Sequence, residues 1–165
     1  MKNITFAAEK IHSLSEMQHI IRGWRLKGKS VAFTNGCFDV LHAGHLLSIN
    51  EAAQNADYLI IAINSDESIA KIKGTGRPIN NENDRALLLS NFTVVDAVVI
   101  FGEETPLVTI KALLPDVLVK GGDYTIDQVV GATEVQQNGG KVIINPILKG
   151  YSSTATLEKM RAKNT

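Results

Sequence analysis

The sequence has a single cysteine, no excess of charge of either sign and no long hydrophobic run. The lone cysteine, Cys37, excludes an internal disulfide and provides no zinc cluster. Lys and Arg number 17, as do Asp and Glu, so the formal net charge of +0 gives no global basic field to hold a nucleic acid. No run approaches the ~18 apolar residues that span a bilayer, and the N-terminus lacks the apolar core of a signal peptide. We therefore expect a cytoplasmic protein that binds neither nucleic acid nor membrane.

The length of 165 residues suits one domain with a full hydrophobic core. We expect an N-terminal helical extension over residues 1–29 and a single domain over residues 30–165. In the extension, Ser13 and Glu16 have the spacing of a capping box, and apolar residues follow at helical spacing as far as Trp24. This apolar stripe favours packing against the sheet or a second subunit, so we expect a homodimer.

Short runs rich in Val and Ile alternate with helical patterns through the rest of the chain. Five runs are typical of buried parallel strands: residues 31–34, 58–63, 97–101, 117–119 and 142–145. Helical patterns cover residues 44–56, 66–73, 82–92, 106–114, 126–138 and 153–162. The alternation predicts an α/β fold, a Rossmann-like open parallel five-stranded sheet with helices on both faces.

The turn after the first of these strands carries the most informative residues. Residues 35–45 read Asn-Gly-Cys-Phe-Asp-Val-Leu-His-Ala-Gly-His. Such a turn lies at the carboxyl ends of the strands, where ligands bind, and the following helix N-terminus suits a phosphate. His42 and His45 can each donate a hydrogen bond to a phosphate oxygen, and Gly44 lets the backbone approach a ligand. By spacing alone, turn or N-cap roles would explain the histidines more simply, but the whole string favours phosphate chemistry.

Two other residues of this turn leave alternatives open. Asp39 either orients a histidine or helps to hold Mg²⁺ with a triphosphate, or it satisfies backbone N–H groups of the turn. Cys37 is not expected to be a nucleophile, because no histidine–carboxylate arrangement is evident around it. We expect its backbone to face a nucleotide.

Positive side chains follow the second predicted strand. Lys71 and Lys73 either complement the dipole at the end of a short helix or bind phosphates. Arg77, in the next loop, suits a phosphate of the second substrate. Arg85 suits a phosphate or a salt bridge to an acidic neighbour.

Two further segments lie where ligands are expected. Lys120, a predicted substrate-phosphate contact, begins the stretch Lys-Gly-Gly-Asp-Tyr directly after the fourth predicted strand. Gly121 permits close approach of the backbone to a nucleotide, and Asp123 either accepts hydrogen bonds from ribose hydroxyls or closes the loop. Ser153 and Thr154 open the last predicted helix, where hydroxyl groups cap the helix, bind phosphate, or do both.

The chain resembles the cytidylyltransferase-like nucleotidyltransferases that carry the His-x-Gly-His motif. The resemblance extends from about Lys29 to the last predicted helix. It includes residues 34–39, 41–45, 64–66, 73–74, 77–78, 104–106, 114–116, 118–124 and 138–140. Within this group the chain is most similar to the D-glycero-β-D-manno-heptose 1-phosphate adenylyltransferases, chiefly through Arg77-Pro78, Glu104-Thr105-Pro106 and residues 120–124.

The resemblance implies a Rossmann-like fold and transfer of AMP from ATP, carried with Mg²⁺, to heptose 1-phosphate. A nucleophile that is already an ionised phosphate needs little general-base help, so positioning and electrostatic stabilisation should carry the reaction. The resemblance gives His42, His45 and Lys73 catalytic roles. It implies nucleotide-binding positions at Cys37, Phe38, Gly44, Lys71, Gly121, Asp123, Ser153 and Thr154.

Some relatives supply activated heptose for lipopolysaccharide and are fused to a sugar kinase. For this chain we expect a separate heptose kinase to supply the substrate. The chain has Lys149 where cytidylyl relatives commonly have arginine, which weakens any claim for CTP. The alternatives are another acceptor or nucleotide, as in a glycerol 3-phosphate cytidylyltransferase or a GDP-heptose-forming enzyme, or a non-catalytic nucleotide-binding module.

Overall fold

Six parallel strands form one sheet in the computed structural model, which describes residues 5–145 together with Ser153 and Ala162. The strands are β1 (Ile11–His12), β2 (Val31–Gly36), β3 (Tyr58–Asn64), β4 (Ala97–Phe101), β5 (Val117–Gly121) and β6 (Lys141–Asn145). The helices are α1 (Thr5–Ala8), α2 (Leu14–Leu26), α3 (Ala43–Ala53), α4 (Asp66–Lys73), α5 (Glu82–Ser90), α6 (Leu107–Leu113) and α7 (Ala132–Gln137). The predicted Rossmann-like α/β architecture is confirmed.

The sheet order is β1-β4-β3-β2-β5-β6. The strands that follow β2 in the chain therefore lie on both sides of it, with β3 and β4 on one side and β5 and β6 on the other. Strand β2 pairs with β3 on one side, with Val31 opposite Tyr58, and with β5 on the other, with Ala32 opposite Val117. In open α/β sheets ligands bind outside the carboxyl ends of the strands at such a switch point. The turn with the two histidines follows β2 at this place.

The predicted count of five strands is wrong by one, because β1 lies in the N-terminal extension. It has two residues and pairs with β4, with Ile11 opposite Val98. A strand this short has no hydrophobic periodicity to detect. The predicted start of α2 is confirmed, since the Ser13 N–H donates to Glu16 Oε2 at 2.8 Å and the Glu16 N–H to Ser13 Oγ at 3.3 Å.

Helices cover both faces of the sheet, each over its own apolar core. Helices α2, α6 and α7 pack on one face, and α3 and α5 pack on the other. The stripe of α2 packs within the chain: Met17 and Ile21 are buried, and the Trp24 ring stacks on Tyr58 with centroids 4.1 Å apart. Along β3, Ile60 faces the first core and Ile61 the second, as expected for a strand buried on both sides.

The single helix predicted over residues 126–138 is two elements, a 3-10 turn at Ile126–Gln128 followed by α7. Between them, Gly131 adopts a φ of +86°, and a Cβ at this position would lie 2.7 Å from Ile110 Cδ1. Any other residue at position 131 would have to displace α6, so the turn between the two elements requires glycine.

Ser153 and Ala162 are helical, at the two ends of the last predicted helix. The predicted site residue Thr154 lies outside the described residues. Of the helices within the described part of the chain, none has the length and apolar character needed to cross a membrane.

Candidate active site

Two stacked histidine rings stand at the start of α3. His42 is the N-cap residue, and the ring centroids of His42 and His45 lie 3.8 Å apart at an interplanar angle of 21°. The backbone N–H of His42 donates to His45 Nδ1 at 3.3 Å. Because Nδ1 is the acceptor, neutral His45 carries its proton on Nε2. The turn thus fixes the tautomer in which Nε2–H can donate to an anion.

The surroundings of both histidines disfavour the protonated imidazolium form. Burial, then the nearby charges of His42 and Lys73, lower the pKa of His45 to about 4. Burial also lowers the pKa of His42. The same positive surroundings that resist protonation would stabilise a polyanion placed against the rings.

The two predicted lysines differ in their surroundings. Lys73, at the end of α4, is close enough to His45 to depress the pKa of that imidazole. Lys71 forms an exposed ion pair with Glu67, with Nζ 2.7 Å from Oε1. Of the two, only Lys73 joins the histidines electrostatically.

The Asp39 carboxylate is buried and used by the protein itself. Its Oδ1 accepts the N–H groups of Ile79 at 2.8 Å and Asn80 at 2.9 Å, and its Oδ2 accepts Arg77 Nε at 2.7 Å. Burial opposes ionisation, but these N–H donors and the Arg77 charge outweigh it and lower the pKa of Asp39. These N–H groups belong to the segment after Arg77, whereas the sequence interpretation placed them in the turn of Asp39 itself.

Arg85 is also buried, with no exposed surface. Its Nη1 donates to the Cys37 carbonyl oxygen at 2.7 Å, its Nε to the Asn80 carbonyl oxygen at 3.0 Å, and its Nη2 to Asp66 Oδ1 at 2.7 Å. The salt bridge predicted as the alternative role of Arg85 is present. The predicted phosphate contact has no accessible donor here, because all three nitrogens point at protein oxygens.

Arg77 and Asp39 form an ion pair, with Nη2 of Arg77 2.6 Å from Oδ2 and 13% of the Arg77 side chain exposed. Arg77 and Arg85 therefore join the segment 77–80 to the turn that follows β2. We call these contacts of Asp39, Arg77 and Arg85 the loop clamp. The clamp holds the histidine turn beside the segment that follows Lys73.

A cavity of about 400 Å³ opens at the carboxyl ends of β2, β3 and β5. Lys120 reaches into it from β5, with Nζ 3.4 Å from Asn35 Oδ1, and burial lowers the pKa of this lysine. The cavity is lined by Asn35, Gly36, Cys37, Asn64, Ile72, Glu104, Thr105, Pro106, Lys120, Tyr124, Gln128, Val129 and Val130. A desolvated ammonium group among amide and hydroxyl groups suits an anionic, hydrogen-bonding ligand.

The sequence analysis missed most of these polar lining residues. Asn35 and Asn64 lie at the carboxyl ends of the neighbouring strands β2 and β3, and Thr105 follows β4. Asn35 begins the histidine string, and Asn64 and Thr105 lie in segments of the resemblance. All three lie at or just after the ends of strands that meet the same edge of the sheet. That edge rule was the signal that could have identified them.

Of the remaining predicted residues, Phe38, Gly44 and Ser153 lie at the histidine turn, whereas Asp123 follows β5. Phe38 has a φ of +46°, and its ring contacts the His45 ring with centroids 5.3 Å apart. Gly44 is in the first turn of α3, and Asp123 is exposed. Ser153 Oγ donates to the Val40 carbonyl oxygen at 3.1 Å, which brings that residue to the histidine turn.

Gly121 lies where β5 meets α3, since a Cβ on it would be 3.1 Å from Ser48 Oγ. No cluster of three or more His, Cys, Asp or Glu side chains that could hold a metal ion exists within residues 5–145 or at the two described C-terminal positions.

Residues 33–159 match the family model described as cytidylyltransferase-like. The chain is 49% identical over 157 residues to the bifunctional protein HldE of Mesorhizobium japonicum, covering 95% of this chain and 32% of that protein. It is 48% identical over 158 residues to the bifunctional protein HldE of Koribacter versatilis, covering 96% and 32%. The chain thus spans about a third of the length of the curated relatives that it matches.

Two solved structures are similar to this fold. One is a lipopolysaccharide core biosynthesis protein from Thermoplasma volcanium, with a TM-score of 0.60 and 30% identity over 76% of this chain and 100% of that one. The other is a pantoate–β-alanine ligase from Francisella tularensis, with a TM-score of 0.63 and 16% identity over 94% and 72%. The second likeness is one of fold alone.

Proposed function

Because the chain belongs to the cytidylyltransferase-like family, we propose that it transfers AMP from ATP to D-glycero-β-D-manno-heptose 1-phosphate. The products are ADP-heptose and pyrophosphate. The proposal draws on the motifs shared with heptose 1-phosphate adenylyltransferases and on the identity with the bifunctional HldE proteins. The likeness to a lipopolysaccharide core biosynthesis protein agrees with it.

The observation that carries the proposal is the stacked histidine pair at the start of α3, where burial lowers the pKa of both imidazoles. In the proposed complex the triphosphate lies against the N-terminal N–H groups of α3, where the helix dipole favours an anion. His45 Nε2–H and the His42 ring donate to phosphate oxygens, and the Lys73 ammonium adds positive charge. These groups stabilise the charge that develops on the α-phosphate and on the leaving pyrophosphate.

An oxygen of the sugar phosphate is the nucleophile in this reaction. It forms a bond to the α-phosphorus of ATP while the bond from that phosphorus to the bridging oxygen of pyrophosphate breaks. The attacking phosphate is already ionised at neutral pH, so no proton has to be removed. Holding the two anions together is therefore the main task of the protein.

The cavity beside the histidine turn is the proposed acceptor site, with Lys120 meeting the acceptor phosphate. This assignment is supported by the partly desolvated Nζ of Lys120, which lies near neutral Asn35. Mg²⁺ is proposed to arrive with ATP and to neutralise part of the triphosphate charge. Since Asp39 is already occupied, the ligands of that ion would come from phosphates and water.

We further propose that the reaction takes place in the cytoplasm, that the chain forms a homodimer, and that a separate kinase makes the heptose 1-phosphate. Sedimentation of the purified chain tests the dimer. A monomer at high concentration would end that part of the proposal.

A substrate panel read by pyrophosphate release tests the reaction. ATP, CTP and GTP are each combined with heptose 1-phosphate, glycerol 3-phosphate and other sugar 1-phosphates. We expect the highest kcat/KM with ATP and heptose 1-phosphate. A higher kcat/KM with another pair would reassign the substrate, and ATP binding without turnover on any acceptor would indicate a binding module.

Cys37 provides a second readout that does not need turnover. It is the only cysteine of the chain and it lines the cavity. We expect heptose 1-phosphate to slow the reaction of Cys37 with a thiol reagent. Unchanged labelling at saturating acceptor would place the acceptor elsewhere.

A further inference from the structure

An aromatic ring forms part of the cavity wall beside Lys120. Tyr124 lines the cavity, and 47% of its surface is exposed. The centroid of its ring lies 6.0 Å from Lys120 Nζ. The ammonium group thus lies over the aromatic ring at the cavity wall, and the reaction as described so far does not use the ring.

The absence of a side chain at Gly122 leaves room for this ring. Gly122 is buried, with a φ of +143°, which L side chains rarely adopt. A Cβ at this position would lie 2.4 Å from Cε2 and 2.6 Å from Cδ2 of Tyr124. Any side chain at position 122 would have to displace the ring, so the orientation of Tyr124 depends on this glycine.

We propose that Tyr124 binds the sugar ring of the acceptor by stacking against its C–H face, and that Gly122 positions Tyr124 for this contact. The inference rests on the proposed function, because it takes the acceptor phosphate to lie at Lys120. The ester bond keeps the sugar ring next to its phosphate, and Tyr124 is the aromatic neighbour of Lys120. Apolar stacking on one side leaves the hydroxyl groups for cavity amides such as Asn35 and Gln128.

This contact makes Tyr124 a specificity-determining residue. A pyranose has a C–H face that can cover the aromatic ring, whereas an acyclic acceptor such as glycerol 3-phosphate does not. Loss of the ring should therefore weaken binding of the sugar phosphate and leave binding of the acyclic acceptor unchanged. The preference for the sugar phosphate over the acyclic acceptor should fall by the same factor as the binding of the sugar phosphate.

Steady-state kinetics of Tyr124→Leu and Tyr124→Phe test the proposal. We expect Tyr124→Leu to raise the KM for the sugar 1-phosphate about tenfold, the scale of one aromatic contact, with the KM for ATP changed less than twofold. Tyr124→Phe keeps the ring, so its effect on the sugar KM should be smaller. Ile126→Ala is the matched control, since Ile126 is exposed on the same segment but does not line the cavity.

Gly122→Ala tests the positioning role and should also raise the KM for the sugar 1-phosphate. Since it acts through the ring, it should add nothing further in the Tyr124→Leu background. An additive effect in the double variant would overturn the positioning role. Melting curves identify any variant that fails to fold. If Gly122→Ala fails to fold, the comparison of Tyr124→Phe with Tyr124→Leu still tests the stacking role.

Thiol labelling of Cys37 tests the proposed acceptor site and the stacking role of Tyr124 separately. If the sugar 1-phosphate protects Cys37 in the unaltered chain and equally well at equal concentration in Tyr124→Leu, the stacking role is overturned while the acceptor site stands. If the sugar 1-phosphate protects Cys37 in neither, the proposed acceptor site fails and this inference fails with it. Weaker protection in Tyr124→Leu alone supports both.

Discussion

Replacement of Arg85 by methionine tests whether the loop clamp is structural. Methionine has a comparable unbranched shape and removes every donor of the guanidinium. Two carbonyl oxygens, of Cys37 and Asn80, then lose their partner inside the protein. The third acceptor, Asp66, is 39% exposed and can regain water, so its loss adds little.

The expected cost follows from these contacts. A buried acceptor left without a hydrogen bond costs about 1–3 kcal/mol, so the two carbonyl oxygens together cost about 2–6 kcal/mol. We expect Arg85→Met to lower the free energy of unfolding by about 2–6 kcal/mol. For a domain of this size each kcal/mol lowers Tm by about 2–4 °C, so Tm should fall by roughly 10 °C or somewhat more.

Urea and thermal unfolding followed by circular dichroism measure this change. Arg22→Met is the matched control, because Arg22 lies exposed on α2 and surface substitutions usually change stability by less than about 0.5 kcal/mol. If Arg85 instead binds a substrate phosphate, its replacement should leave Tm unchanged and raise the KM of one substrate. That combination would refute the structural role.

Three further changes test the site. His45→Asn should lower kcat, measured by pyrophosphate release, about 100-fold or more with a smaller change in the KM for ATP, because the donor acts mainly in the transition state. A variant in which only the KM for ATP rises would contradict this role. Lys120→Met should raise the KM for the acceptor at least about tenfold and not that for ATP, and an effect confined to ATP would move Lys120 to the nucleotide site. The pKa of His45 is about 4 folded against 6.5 as its ordinary value, so the unfolded chain binds the extra proton between these values and stability is lost as the pH falls from about 6.5 toward 4. Urea titrations across this range should show a smaller loss in His45→Asn, and an identical loss would show that His45 does not carry the effect.

Several elements could be predicted because their signals are local. Helix α4 matches the predicted range 66–73, since Asp66 and Glu67 suit its first turn and Lys71 and Lys73 its last. The Ser13–Glu16 capping box places the start of α2. The buried strands have continuous Val- and Ile-rich runs, which is the pattern that burial on both faces requires.

Other features depend on residues far apart in the chain. The break before α7 exists because Gly131 passes close to Ile110, a contact between separate helices. The burial of Arg85 depends on Cys37, 48 residues away. A sequence identifies Arg85 as a cation but not the oxygens that surround it.

By itself the sequence determined the order of the five longer strands and the place of the histidine turn, because hydrophobic period, caps and motif spacing are properties of neighbouring residues. Only the tertiary structure decided which charges serve the fold and which face a ligand. Asp39 and Arg85 are hydrogen-bonded to groups within the protein, whereas Lys120 lines a cavity. That division depends on desolvation and on hydrogen-bond partners, and both are set by contacts between distant segments.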